Sequence, residues 1–187
     1  MLAFRNRFDI FFSALALIFL FSTILFYIWQ TPLWWYAYYL TAIAVALYFH
    51  GPRIKHRISS KALFISYIAA ILMGGSVEFV RITFDLWPYA PILNGVIGVV
   101  GFMAFGYFLM MFSMALTYDL VKQQTGRWPI AAFIVVLVLI LPVEVGNQIV
   151  PVWEEPNHIW VYLLFIIGYA IEIIVAVKVF QAITRCS

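Results

Sequence analysis

Residues 129–150 read PIAAFIVVLVLILPVEVGNQIV. The stretch carries one ionisable side chain, Glu144, and it is long enough to cross a bilayer core, which takes about 20 apolar residues. Comparable runs lie at about 10–29, 33–49, 62–84, 92–120 and 157–183. With 129–150 they make six, joined by short connections. The sequence therefore predicts an all-α integral membrane protein: a six-transmembrane-helix bundle forming one domain over 1–187.

Composition points the same way. Of the 187 residues, 66% are hydrophobic and 10% charged. The mean hydropathy is +1.02. Soluble domains carry about 25% charged residues, so a soluble enzyme is excluded. Disorder needs low hydrophobicity and high charge, and is excluded too. The single cysteine, Cys186, rules out an intrachain disulfide and a cysteine-based metal site. The net charge of +3 is expected to serve topology rather than nucleic-acid binding. Arg5 and Arg7 precede an apolar run that continues to Trp29, longer than a signal sequence needs, so a retained first helix is expected.

Positive residues collect in alternate connections. Arg53, Lys55, Arg57 and Lys61 share one, Lys122 and Arg127 another, and Lys178 and Arg185 lie near the end. The remaining turns hold Asp85, Glu154 and Glu155 and no lysine. The positive-inside rule then places both termini in the cytoplasm, and a plasma (inner) membrane is expected. Trp29, Trp34, Trp35, Trp87, Trp153 and Trp160 fall at the outer boundary, as interfacial anchors or as the lining of an outward-facing site.

The outer turns resemble one another. Each pairs a tryptophan with a later proline: Trp29 with Pro32, Trp87 with Pro91, Trp153 with Pro156. Val77-Glu78 and Val143-Glu144 each lie nine residues before their tryptophan. Three helical hairpins in a parallel repeat would give this pattern. Aligning 76–92 on 142–158 yields only three identities, and Trp and Pro are favoured at outer helix ends in any case.

Ionisable groups within spans cost roughly 2.5–3.5 kcal/mol at a helix centre, and normally face a bundle interior or a water-filled cavity. Glu78, Arg81 and Asp85 are spaced for one helical face, either as a self-neutralising ladder or as a polar path from outside. Glu144 shares a face with Asn147 and Gln148 and has no cation of its own. Arg81 would serve if helices three and five adjoin. Gly74-Gly75 and the Pro142–Gly146 segment suggest helix breaks beside Glu78 and Glu144. The expected site lies between helices three and five, in the outer half of the membrane, near Trp87 and Trp153. Glu172, on the sixth helix, is a candidate relay group or a contact for another helix.

Glu154, Glu155 and His158 form a weak metal candidate, read more simply as a solvated acidic turn. No cofactor motif and no metal site are expected. Three functions remain. One is a small transporter or membrane-embedded binding protein for a small solute or proton. Another is an intramembrane enzyme in which Glu78 and Glu144 act as acid and base on an apolar lipid-like or isoprenoid substrate. The last is an accessory subunit offering Glu172 and the glycine-rich fourth helix to a partner. Membrane lipids are expected contacts, and a homo-oligomer or larger complex is compatible with all three.

Overall fold

A computed structural model describes residues 2–51, 54, 58–84, 86, 101, 105–153 and 159–185; the side chains of 2–6, 62, 159–162, 164, 165, 180 and 182–185 are left aside. The described residues form helices joined by turns, with no strand. In chain order these are α1 (Leu2–Ile28), α2 (Trp34–His50), α3 (Ser60–Phe84), α4 (Tyr107–Thr125), α5 (Trp128–Asn147) and α6 (Ile159–Arg185). Among the described residues, three segments are long and apolar enough to cross a membrane: Arg7–Ile28, Leu63–Phe84 and Trp128–Asn147. Helix α2, at 17 residues, falls short of that length, and α4 carries Asp119 and Lys122 in its last turns. Of the predicted fourth helix, 92–100 and 102–104 lie outside the described residues, and its C-terminal end runs past Leu120 to Thr125.

The helix ends differ from expectation for a simple reason. α1 begins at Leu2 rather than Ile10, and α6 runs on to Arg185. Charged residues mark where hydrocarbon stops, but they are good helix formers and the helix continues through them. Real stops need a backbone device. Gly126 adopts φ 68°, the left-handed conformation that ends α4, and its N–H returns to the Lys122 carbonyl. Pro129 then opens α5 in the first turn, where its missing N–H costs nothing.

Helix α4 is the central post. Tyr107, Met110, Met111, Ser113, Met114, Ala115, Leu116 and Tyr118 are buried around its circumference. It packs against α2, α3, α5 and α6. Helix α1 packs on α2 alone among the extensive pairings and is otherwise exposed, with Phe11, Leu17 and Phe21 facing outward. On α3, Phe79, Ile82 and Phe84 likewise face out. So much exposed apolar surface has no place in water and suits a lipid boundary.

The hairpin expectation is met unevenly. α1 and α2 form a close antiparallel pair, and α3 packs on α4. Helix α5 lies against α4 and shares no extended contact with α6. The two expected helix breaks also differ. α3 is continuous through Gly74-Gly75. There the absence of a side chain serves packing: a Cβ on Gly74 would stand 2.5 Å from the Tyr107 ring of α4. Helix α5 does break register, widening to a π turn over Val136–Ile140 just before Pro142.

Gly146 plays the same part as Gly74. A Cβ there would stand 2.6 Å from the Trp34 ring, which is itself held by an Nε1–H bond of 2.9 Å to the Val150 carbonyl. Gly168 has open space around it. Gly146→Ala is expected to destabilise the detergent-solubilised protein by about 1–3 kcal/mol through overpacking. Gly168→Ala should be neutral or slightly stabilising, because alanine is the better helix former. Thermal unfolding of the two variants checks the difference in sign.

Candidate functional site

Pro142 explains much of what surrounds the candidate site. Proline has no N–H and its ring crowds the carbonyl four residues back, here that of Val138. In hydrocarbon no water is at hand to satisfy the freed carbonyl, so protein groups must. Helix α5 adjusts by the π turn, in which the Leu141 N–H reaches back five residues to the Val136 carbonyl. The rest comes from α2. The Tyr38 hydroxyl donates to the Val138 carbonyl, and the Tyr39 hydroxyl lies 3.4 Å from that of Leu139. Tyr39 is fully buried, with the Trp35 ring edge-on at 4.7 Å.

Helix α5 resumes beyond the π turn and carries Glu144, half-buried, less than a turn from its end. The Tyr169 hydroxyl of α6 donates to Glu144 Oε1. Tyr169 and Glu172 are three residues apart and so share a face of α6. That face, with Ile173, Ala176 and Val177, is buried. Glu172 is 5% exposed, and its Oε2 has no hydrogen-bond partner among the described residues. Tyr39 lies within electrostatic reach of both Glu172 and Glu144, and so does Tyr169. The phenols of α2 and α6 thus lie in electrostatic range of both carboxyls, and Tyr169 is hydrogen-bonded to Glu144.

This is not the expected pairing. Glu78 and Glu144 sit on α3 and α5, which share no extended contact among the described residues, so the structure does not bring the two expected helices together there. Glu78 is 2% exposed and accepts a 2.9 Å hydrogen bond from Arg81 Nε. The first rung of the expected ladder is thus present. Asp85 and Trp87, its outer continuation, lie outside the described residues.

Asn147 was expected beside Glu144 as a ligand group. It is buried, but its amide is used at home. Oδ1 accepts from the Val152 N–H at 2.7 Å and the Trp153 N–H at 3.1 Å, while Nδ2 donates to the Trp153 carbonyl at 2.9 Å. Asn147 thereby closes the turn after α5 and holds Trp153 against the core, 8% exposed. Gln148 is exposed. Of the outer tryptophans, Trp29 is exposed as an anchor should be, whereas Trp34 and Trp35 are buried packing groups. Glu154, Glu155 and His158 lie outside the described residues, among which no group of three or more His, Cys, Asp and Glu could hold a metal.

Sequence reading passed over Tyr38, Tyr39 and Tyr169. Two signals point to them. A proline inside a membrane helix demands a donor from a neighbour, and the WWYAYY run of 34–39 is rich in hydroxyls at one end of a span. Tyr169 stands three residues before an intramembrane acid, the spacing of a side-chain pair.

No known family model matches the chain, and neither curated proteins nor solved structures give a significant match. Function must therefore be argued from the chemistry of the residues.

Asn147→Ala would leave two buried N–H groups and a carbonyl without partners, at roughly 1–3 kcal/mol for each unsatisfied group. A marked fall in thermal midpoint is expected. Gln148→Ala, at an exposed position, should stay within about 0.5 kcal/mol of the parent. Similar losses for both would show that the turn does not depend on the Asn147 amide.

Proposed function

We propose that the chain is a six-helix protein of the plasma (inner) membrane, with both termini cytoplasmic, that transports or binds a small solute or cation at the polar cluster in its core. The observation that carries this reading is Glu172, an acid buried among apolar helices with an oxygen left unpartnered. Such a group is expensive in a membrane, so a merely structural helix gains nothing by holding it. Its inward direction also weighs against the accessory-subunit reading, which needs Glu172 on the outer surface for a partner helix to reach. The three helices that are long and apolar enough to cross support a membrane location, and the six apolar runs with the alternation of basic connections support six spans.

An enzyme acting on a lipid or isoprenoid is the second reading, and one observation favours it. A small cleft between α3, α4 and α6 is lined by Ser66, Phe108, Met111, Phe112, Ala115 and Ala176. That lining is apolar enough for a hydrocarbon group, but at about 10 Å³ the cleft would have to widen to take a chain. None of the acids lines it, however, and Glu78 and Glu144 are not brought together to act as acid and base.

Topology is open to a direct test, because Cys186 is the only cysteine. Six spans put both chain ends on one side. Cys186, and a cysteine introduced at Ala3 in a Cys186→Ser background, should both resist a membrane-impermeant maleimide in intact cells and react in inverted vesicles. Opposite behaviour of the two ends would mean an odd number of spans.

Transport is tested in proteoliposomes carrying an interior pH dye under an imposed proton gradient. Protein-dependent proton flux is expected, and Glu172→Gln should abolish it. A gradient held equally well with and without protein would overturn the proton-transport form of the reading.

A further inference from the structure

The α6 face that carries Glu172 continues toward the basic end of the helix. Ala176 and Val179 follow at four and seven residues, the spacings of one helical stripe. Both line the small cleft where α6 meets α3 and α4. The cleft exists because small side chains from three helices fall together: Ser66 of α3, Ala115 of α4 and Ala176 of α6. Ala115 and Ala176 are buried. On α4 the rings of Phe108 and Phe112, stacked at 5.4 Å, continue the lining. Among the described lining residues, Ser66 has the one polar side chain.

Position along the helices sets which side the cleft serves. Ser66 stands six residues from the start of α3 at Ser60, and Val179 six from the end of α6 at Arg185. Lys61 and Lys178, both exposed, mark those ends. They are the ends that the distribution of basic residues places in the cytoplasm. Glu172 lies further in, about 10 Å beyond Val179 for seven residues at about 1.5 Å each. It is buried, and its Oε2 has no hydrogen-bond partner among the described residues. An acid that exchanges a solute or cation with the cytoplasm needs a way to inner water, and the cleft is a gap on its own stripe, on that side.

We infer that this cleft is the inner water entry to Glu172, a neck one water wide between the cytoplasm and the acid. At about 10 Å³ its volume matches a single water. Ala115 and Ala176 set the width, and a larger side chain at either would fill it. The lining is apolar apart from Ser66, and hydrophobic constrictions gate by wetting and dewetting. Glu172 is therefore reached from the cytoplasm when α6 yields against α3 or α4. The inference rests on the transport reading above and gives that site its inner side.

The test uses the full chain with Cys186→Ser and single introduced cysteines, read with a charged, membrane-impermeant methanethiosulfonate. A thiol reacts as the thiolate, which forms in water and not in hydrocarbon. Ser66→Cys places the thiol in the cleft. Phe64→Cys, two residues away at an exposed position of α3, is the lipid-facing control. Glu172→Cys reports the far end. In inverted vesicles Ser66→Cys should react on the order of tenfold faster than Phe64→Cys. Glu172→Cys should react from the same side, and on the order of tenfold more slowly once the cleft is filled by Ala176→Leu, or by Ala115→Leu where the first does not fold. Equal rates at positions 64 and 66 would mean that hydrocarbon occupies the cleft. No inner-side reaction of Glu172→Cys, or a rate indifferent to the added leucine, would mean that the cleft does not serve the acid. Each of these overturns the inference. If Glu172→Cys does not fold, the Ser66→Cys comparison decides. The two proposals fail separately. Inner-side reaction of Glu172→Cys, with parent vesicles that hold their proton gradient, would sink transport and keep the entry. Flux lost in Glu172→Gln, with Glu172→Cys closed to the inner reagent, would do the reverse.

Discussion

A backbone carbonyl in hydrocarbon must find a donor within the protein. Pro142 removes one such donor from the middle of α5, and much of the interior can be traced to the repair. The helix widens by a π turn, and Tyr38 and Tyr39 reach across from α2 to the carbonyls left exposed. Those bonds tie the first turns of α2 to α5, where the two share little backbone contact. They also bring a phenol next to the acids. A straight helix with alanine at 142 would need none of this, and the Tyr39 hydroxyl would have no freed carbonyl to meet.

The repair works because α4 holds the remaining helices at fixed distances. Its buried residues, four of them aromatic or sulfur-containing within Tyr107–Met114, fill the space among α2, α3, α5 and α6. Methionine adapts to irregular gaps, which suits a helix with neighbours on every side. Close approach is then set by two glycines. Gly74 admits Tyr107 and Gly146 admits Trp34, so α3 lies against α4 and the end of α5 against α2. Gly74 stands four residues before Glu78, and Gly146 two residues after Glu144. They act by bringing neighbouring rings close, not by breaking the helix that bears them.

The class of the protein was legible in its sequence because hydrocarbon imposes a single strong requirement, and apolar runs answer it visibly. Helix ends were less legible, since charge marks the membrane boundary while backbone devices such as Gly126 mark the helix boundary. The site was half legible. Glu144 and Glu172 stood out as costly residues, and the Glu78–Arg81 pair followed from helical spacing alone. Which acids meet was not readable. The weak repeat suggested Glu78 with Glu144, but partnership depends on which helices adjoin, and a three-residue spacing carries no information about that. Asn147 illustrates the same limit. It stands three residues after Glu144, yet its amide serves Val152 and Trp153, because a turn beyond a helix end has its own donors to satisfy.

Glu78, Glu144 and Glu172 also differ in a way that bears on function. Glu78 brings its own cation from one turn away, so its charge is compensated within α3 however the bundle moves. Glu144 is held by a phenol on another helix, and Glu172 by the burial of its whole face. A charge compensated locally is indifferent to helix movement. A charge whose surroundings come from α2, α5 and α6 is sensitive to it, because shifting any of the three changes its neighbours. Protonation and helix position are then linked: whatever alters the charge on Glu144 or Glu172 alters the balance of forces on those helices, and the converse holds by thermodynamic necessity. Helix α5 carries a π turn and a proline and lies off α6, joined to it by a tyrosine–glutamate hydrogen bond rather than by extended packing.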